Sequence, residues 1–272
     1  MDESEQRLIS TSWRTIKFAN GAASELEDDI AAEFPLTVRL DGEEFATIVC
    51  SPSDLNDMVV GFLASEGVIR RADDIRSMSL DEAGGFAYVE LHRPQQAEKE
   101  LHSKRFIGSC CGKSRQFYFH NDVRTARTAT GGPTVPAARC LELMRMLQAS
   151  SDDFRHTGGV HNAALAGADG PLLAVRSDIG RHNALDKLYG HALRHGVPTR
   201  EAIVVFSGRL SSEVVLKTAK IGCGLLLSKS APTDLALRLA DDLGITCAGF
   251  IRGDAMNVYT HPRRIRCEPD GT

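Results

Sequence analysis

The first clear hydrophobic pattern along the chain runs from Leu36 to Leu40 and resumes from Glu44 to Cys50, with Asp41-Gly42 between the two runs. That order predicts a β-hairpin turned by the Asp-Gly pair. Leu55, Met58, Val59, Phe62 and Leu63 then follow helical spacing, with Ser53 or Asp54 placed to cap the helix and Gly67 to end it. Strands are expected at Ile75–Leu80 and Phe86–Leu91, on either side of Gly84-Gly85. After Gly131-Gly132-Pro133 the texture changes. Pro136–Ala149 reads as a helix with Leu141, Met144 and Leu147 on one face. From His161 strands and helices alternate. Two strands flank the Ala168-Asp169-Gly170 turn, and a helix carries Leu185, Leu188, Tyr189 and Ala192 as one stripe, ending at Gly196. Strand Ala202–Phe206, helix Ser212–Ile221, strand Leu225–Leu227, helix Thr233–Leu243 and strand Ile245–Phe250 complete the series. Such alternation predicts an α/β fold, a sheet covered by helices. The division expected is a smaller N-terminal α+β region over 1–130 and a layered α/β domain over 131–272.

Composition narrows the function classes. Of the 272 residues 42% are hydrophobic, enough for a proper core, and the 32 Lys and Arg against 36 Asp and Glu leave a net charge of −4. A protein living on nucleic-acid phosphates usually carries a basic excess, so no nucleic-acid partner is expected, although a local basic pocket stays compatible. No run approaches the roughly 18 apolar residues of a membrane span, and the acidic Met1-Asp2-Glu3-Ser4-Glu5 start lacks a signal-peptide pattern. A cytoplasmic protein with no membrane partner is expected. The seven cysteines show no disulfide framework. Cys140, Cys223 and Cys247 lie in apolar runs and read as small buried hydrophobes.

Cys110 and Cys111 are different. Adjacent Cα atoms sit about 3.8 Å apart, short of the roughly 4.4–6.8 Å that disulfides prefer, so the pair suits two thiols held ready rather than a stable cross-link. Gly108-Ser109 before it and Gly112 after it allow a tight exposed backbone, and Lys113 and Arg115 favour thiolate over thiol. Four further segments could carry chemistry. Thr157-Gly158-Gly159-Val160-His161 reads equally as a strand entry and as glycine-freed amides beside an acid, base or phosphate donor. Ser177-Asp178-Ile179-Gly180-Arg181-His182-Asn183 lies at a strand-to-helix junction, where unpaired N–H groups join Arg181 and His182 to suit a phosphate, with Asp178 available as a cap. Ser207-Gly208-Arg209 follows another strand, and Phe250-Ile251-Arg252-Gly253-Asp254-Ala255 a third. Ligands of open α/β sheets bind at such strand ends. Three arginine-bearing loops together point to an anionic ligand more than any one does. No phosphate-loop, zinc-protease or zinc-deaminase motif is present.

The runs Gly61-Phe62-Leu63-Ala64-Ser65-Glu66-Gly67, Ser109-Cys110-Cys111-Gly112-Lys113, Thr157–His161, Asp178-Ile179-Gly180-Arg181-His182-Asn183-Ala184-Leu185-Asp186-Lys187 and Ser207–Arg209 resemble the FdhD family of formate dehydrogenase accessory sulfurtransferases. The similarity runs from about residue 30 to about 265. It implies a cytidine-deaminase-like α/β domain without deaminase zinc chemistry, so no metal ligands are expected. It implies a sulfurtransferase that passes persulfide sulfur from a cysteine desulfurase to the molybdenum of bis-molybdopterin guanine dinucleotide, before that cofactor enters a formate dehydrogenase apoenzyme. Many members carry Cys-Gly-x-Cys-Gly-Lys. Here Cys111 matches the second cysteine, Gly108 stands in the first one's place, and Cys110 is the other candidate carrier. A second departure is Ser177, where a glutamate often precedes the Asp-Ile-Gly-Arg-His-Asn run. The nucleotide-binding region carries over onto Phe250–Ala255, with His161, Arg181, His182, Ser207 and Arg209 as further cofactor contacts. Two other classes stay open, a non-catalytic chaperone that binds and delivers the molybdenum cofactor and a zinc-dependent hydrolase. The sequence also leaves open a homodimer.

Overall fold

The computed structural model describes residues 9–93, 126–150 and 157–267, together with the backbone of 105–107. Two sheets organise it, and they are joined by helices rather than by a linker. In the N-terminal part, β3 (Phe34–Leu40) and β4 (Glu43–Cys50) form the expected hairpin, with Asp41 at φ 49° and Gly42 at φ 86° as a two-residue turn of the I′ kind requires. β5 (Ile75–Asp81), β6 (Phe86–Leu91) and β7 (Arg105–Ile107) complete a five-stranded sheet in the order β5-β6-β3-β4-β7. α1 (Leu55–Ser65) begins at Asp54, which adopts the left-handed conformation and makes no side-chain cap bond. It closes as the glycine predicted, because Gly67 at φ 76° lets its N–H reach Ala64 O and the next N–H, of Val68, reach Leu63 O.

The C-terminal part is a six-stranded mixed sheet in the order β10-β9-β11-β12-β13-β14. β11 (Ile203–Phe206), β12 (Leu225–Ser228) and β13 (Thr246–Arg252) run parallel, while β9 (His161–Ala166), β10 (Leu172–Asp178) and β14 (Ala255–Val258) are antiparallel to their neighbours. Period-two alternation sorts the strand side chains. Ile203, Val205, Leu225 and Leu227 face α2 (Ala137–Ala149), against Cys140, Leu143, Met144 and Leu147. Val204, Phe206, Leu226 and Cys247 face the other way. They join one core with the five-stranded sheet, α1, α3 (Arg181–Arg194), α4 (Ser212–Ile221) and α5 (Asp234–Asp242). The fold is α/β.

α1 and α3 cross backbone to backbone. A Cβ at Gly61 would lie 1.7 Å from Asp186 O, and one at Gly190 would lie 1.9 Å from Asp57 O. Only glycine at both positions permits this approach. The contact is sealed on one side by buried Asp57, whose carboxylate is paired with Arg176 and Arg194, and on the other by Asp186, which accepts from Ser65 Oγ at 2.5 Å and pairs with buried Lys217.

Several strands were not expected from the sequence. β1 (Ser10–Ala19) and β2 (Ala22–Ala31) form a two-stranded ribbon in continuous register from Ser10↔Ala31 to Ala19↔Ala22. Its strands are solvated on both faces, so they lack the polar–apolar alternation by which a half-buried strand is recognised. β13 continues two residues past the expected end at Phe250, and β14 returns from it after Gly253-Asp254. Two short strands, β8 (Val135–Pro136) and β15 (Ile265–Arg266), pair in parallel beside α2. Among the described residues no helix is long and apolar enough to cross a membrane.

Candidate functional site

The fold brings four of the five sequence-identified segments to one edge of the six-stranded sheet. β11 and β13 end there, and antiparallel β9 begins there, with His161 opposite Asp178 at the end of β10. Ser207 ties β11 to β9, since its N–H donates to Asn162 O at 3.0 Å and its hydroxyl accepts from Asn162 N–H at 2.9 Å. Gly208 brings the backbone next to the imidazole: a Cβ there would sit 3.4 Å from His161 Nδ1 and 2.8 Å from the Phe206 ring. The fifth segment, with Cys110, Cys111, Lys113 and Arg115, lies outside the described residues.

His161 is half-buried, and burial first, then the Arg181 guanidinium, lower its pKa below the ordinary 6.5, with Asp178 opposing. The ring is neutral at neutral pH and offers one donor and one acceptor. Arg181 is half-buried and Arg209 exposed, and neither forms an ion pair or hydrogen bond with a described residue. His182 is committed elsewhere: its Nε2 lies 2.6 Å from Glu213 Oε2, joining the first turns of α3 and α4.

The Phe250–Ala255 segment is a hairpin tip. A bulge between Gly249 and Arg252 puts Phe250 at φ 52°, a left-handed conformation that costs a non-glycine residue about 1–3 kcal/mol. The turn leaves the ring 39% exposed while the side chain of Ile251 enters the core against α2, so Ile251 presents only backbone at the edge. The Arg252 guanidinium stands 5.7 Å from the Phe250 centroid and its Nε donates to Lys229 O at 3.2 Å. Gly253, Asp254 and Ala255 are exposed in the turn.

Sequence reasoning overlooked Ser228-Lys229-Ser230, which completes the edge at the end of β12. Ser228 Oγ donates to Gly208 O at 2.7 Å and accepts from Ser230 N–H, and Ser230 O accepts from Phe250 N–H. The signal was its position, a polar triplet after a strand like the other site loops. Lys229 adds a further cation without an ion pair among the described residues. The edge therefore combines a neutral imidazole, unpaired cations and an exposed ring. Such a set can hold phosphate oxygens and stack against an aromatic base.

Asp178 does something other than cap α3. It is fully buried, 2.7 Å from the fully buried Lys187. It also accepts from the N–H groups of Ser51 and Gly180 and from Asn183 Nδ2, while Lys187 Nζ reaches Ser51 O and Ser177 O. Asp178, Asn183 and Lys187 thereby fasten the site loop to the end of β4, and leave Arg181 as the member of that run available to a ligand.

Buried cysteines are chemically quiet here. Burial pushes the Cys140 thiol up to about 11 and those of Cys50, Cys223 and Cys247 up to about 12. One group has metal-ligand character among the described residues: Asp57, His191 and His195 bring donor atoms within 4.8 Å of one another. Both Asp57 oxygens are held by arginines, and Arg176 also sits 2.6 Å from His191 Nδ1, so the trio belongs to an ion-pair network.

Comparison with known proteins adds the last observations. The model of the FdhD/NarQ family matches residues 31–266. A sulfur carrier protein FdhD from Geobacillus kaustophilus is 61% identical over 249 residues, covering 92% of this chain and 94% of its own. One from Bacillus subtilis is 53% identical over 254 residues, covering 93% and 95%. A crystal structure assigned as a formate dehydrogenase accessory protein from Desulfotalea psychrophila superposes with a TM-score of 0.78 at 26% identity, covering 95% of this chain and all of that one.

Proposed function

The chain belongs to the FdhD/NarQ family, and from that premise we propose that it is a sulfur carrier in the maturation of formate dehydrogenase. In this reading Cys111 or Cys110 accepts sulfane sulfur from a cysteine desulfurase and passes it to the molybdenum of bis-molybdopterin guanine dinucleotide, which is the protein's substrate. The formate dehydrogenase apoenzyme then receives the sulfurated cofactor. Loading of the carrier balances without an external redox agent. The carrier thiolate attacks the outer sulfur of the donor persulfide, a new S–S bond forms, the old one breaks, and the donor cysteine leaves as thiolate.

The observation that carries this reading is the cationic edge formed by Arg181, Arg209 and Lys229 around neutral His161, next to exposed Phe250. Guanine dinucleotide offers what that edge can hold, phosphates for the arginines and a purine for the ring. β7 supports the same assignment. It pairs in parallel with β4, with Ile107 opposite Ile48, so the strand points toward Ser51, whose N–H is bound by Asp178. Cys110 and Cys111 follow Ile107 by three and four residues, a length that spans at most about 14 Å.

Intact-protein mass spectrometry after incubation with a cysteine desulfurase and cysteine tests the proposal. A reductant-labile gain of about 32 Da, one sulfur, is expected on the wild type, and its disappearance in Cys110→Ala or Cys111→Ala alone identifies the carrier. The double variant is expected to leave formate dehydrogenase inactive in the cell. Retained activity would overturn the carrier role and leave a chaperone that only binds and delivers the cofactor.

A further inference from the structure

The parallel strands β11, β12 and β13 have a second end, remote from the site above, and a cavity of about 260 Å³ opens there. It lies between the Arg127–Gly131 segment, Thr199-Arg200 before β11, and Gly222 at the C-terminus of α4. Its side-chain polar groups among the described residues are hydroxyls and guanidinia, with no carboxylate among them. Arg127 and Arg200 are exposed and make no ion pair or hydrogen bond with a described residue. The negative end of α4 is already answered, since Thr199 Oγ donates to Ile221 O at 2.6 Å.

A third guanidinium stands directly behind the cavity wall. Arg264 is buried, and it donates to Ala129 O, Gly131 O, Gly244 O and Thr246 Oγ, all neutral acceptors. No carboxylate pairs with it among the described residues. Burial, then Arg263 beside it, lower its pKa. Buried charges are ordinarily paired. Two guanidinia line one concave space and a third lies behind its wall, none paired with a carboxylate among the described residues, which leaves a position for an anion.

We propose that this cavity is a second binding site, for a phosphoryl group held between Arg127 and Arg200 with the Thr128 and Thr130 hydroxyls as further donors. A carboxylate is satisfied by the fork of a single guanidinium, whereas a phosphoryl group presents three outer oxygens that need donors from several directions. The volume lies just under the roughly 300–1,000 Å³ of ordinary ligand pockets, which suits inorganic phosphate or a sugar phosphate rather than a dinucleotide. The site is independent of the proposed sulfur transfer, whose ligand lies at the other end of the strands.

Calorimetric titration with inorganic phosphate and with ribose 5-phosphate, at low ionic strength, tests it on the full chain carrying Arg181→Gln, Arg209→Gln and Lys229→Gln, a background that removes the other cationic edge. Saturable binding is expected, weakened by about tenfold or more in Arg127→Gln or Arg200→Gln and lost in the double variant, with circular dichroism showing the variants folded. Equal affinity for the two ligands would identify the free anion as occupant, and tighter binding of ribose 5-phosphate an esterified one. No saturable binding in that background, or binding there undiminished when Arg127 and Arg200 are both replaced, would overturn the proposal.

Discussion

Asp178 shows how one side chain can serve as a fastener between two halves of a chain. Its carboxylate is fully buried and meets one ammonium and three further donors, one of them contributed 127 residues earlier by Ser51. Removing one partner of such a pair strands a charge in the core. Asp178→Ala is expected to cost about 3–5 kcal/mol, read as a lowered midpoint in thermal or urea unfolding. Adding Lys187→Met to that variant is expected to restore part of the loss, because the orphaned ammonium is gone. His161 gives a second residue-scale prediction. Its folded pKa lies below the ordinary 6.5, so the unfolded chain binds this proton more readily and the group's contribution to stability falls as pH drops below about 6.5. An imidazole proton titration by NMR is expected to show a midpoint below that value, and Arg181→Gln is expected to raise it by removing a neighbouring cation. An unmoved midpoint would contradict the pairing. At this scale the sequence indicated which residues matter without indicating why. Asp178 read as a cap because its buried ammonium lies nine residues onward and its amide partner in the other half, beyond any local pattern.

Elements were more legible where one face is wet and the other dry. The β3–β4 hairpin, α1 and the succession from β9 to β13 follow from hydrophobic period and from turn chemistry such as Asp41-Gly42. The helix crossing was not legible. Gly61 and Gly190 sit inside helices, where glycine is a poor choice by propensity, and only the crossing explains them. Gly61→Ala would push a methyl group into the Asp186 carbonyl, and the helices must separate to admit it. A loss of about 3 kcal/mol or more is expected, measured as a drop in the chemical unfolding midpoint, whereas alanine at an ordinary helical glycine would stabilise. Several residues of the runs that carry the family resemblance, Gly61, Ser65, Gly67, Asp178, Asn183, Asp186 and Lys187, belong to this joint between the halves and its immediate flanks. The family signature thus records how the halves are held together as much as what they bind.

For the whole molecule, one continuous core links the five-stranded sheet, α1, α3 and one face of the six-stranded sheet. Differential scanning calorimetry is expected to give a single cooperative transition; two separated peaks would mean that the joint at Asp178 and Gly61 is weaker than its burial implies. The site is a property at this scale too. Sequence reading found His161, Arg181, Arg209 and Phe250 one loop at a time, and only sheet order sets them on one edge and adds Lys229 beside them.

The ribbon of β1 and β2 stands apart from that core, and it carries Trp13, the one tryptophan of the chain, 66% exposed. The protein therefore has its natural fluorophore outside its hydrophobic interior. Indole emission from the folded state is expected to be red-shifted and readily quenched by acrylamide, and to change little when the core melts. Unfolding must be followed by another signal, such as far-ultraviolet dichroism. The same arrangement makes the emission a sensor of surroundings: a blue shift on adding another protein would report that the ribbon, rather than the core, has been covered.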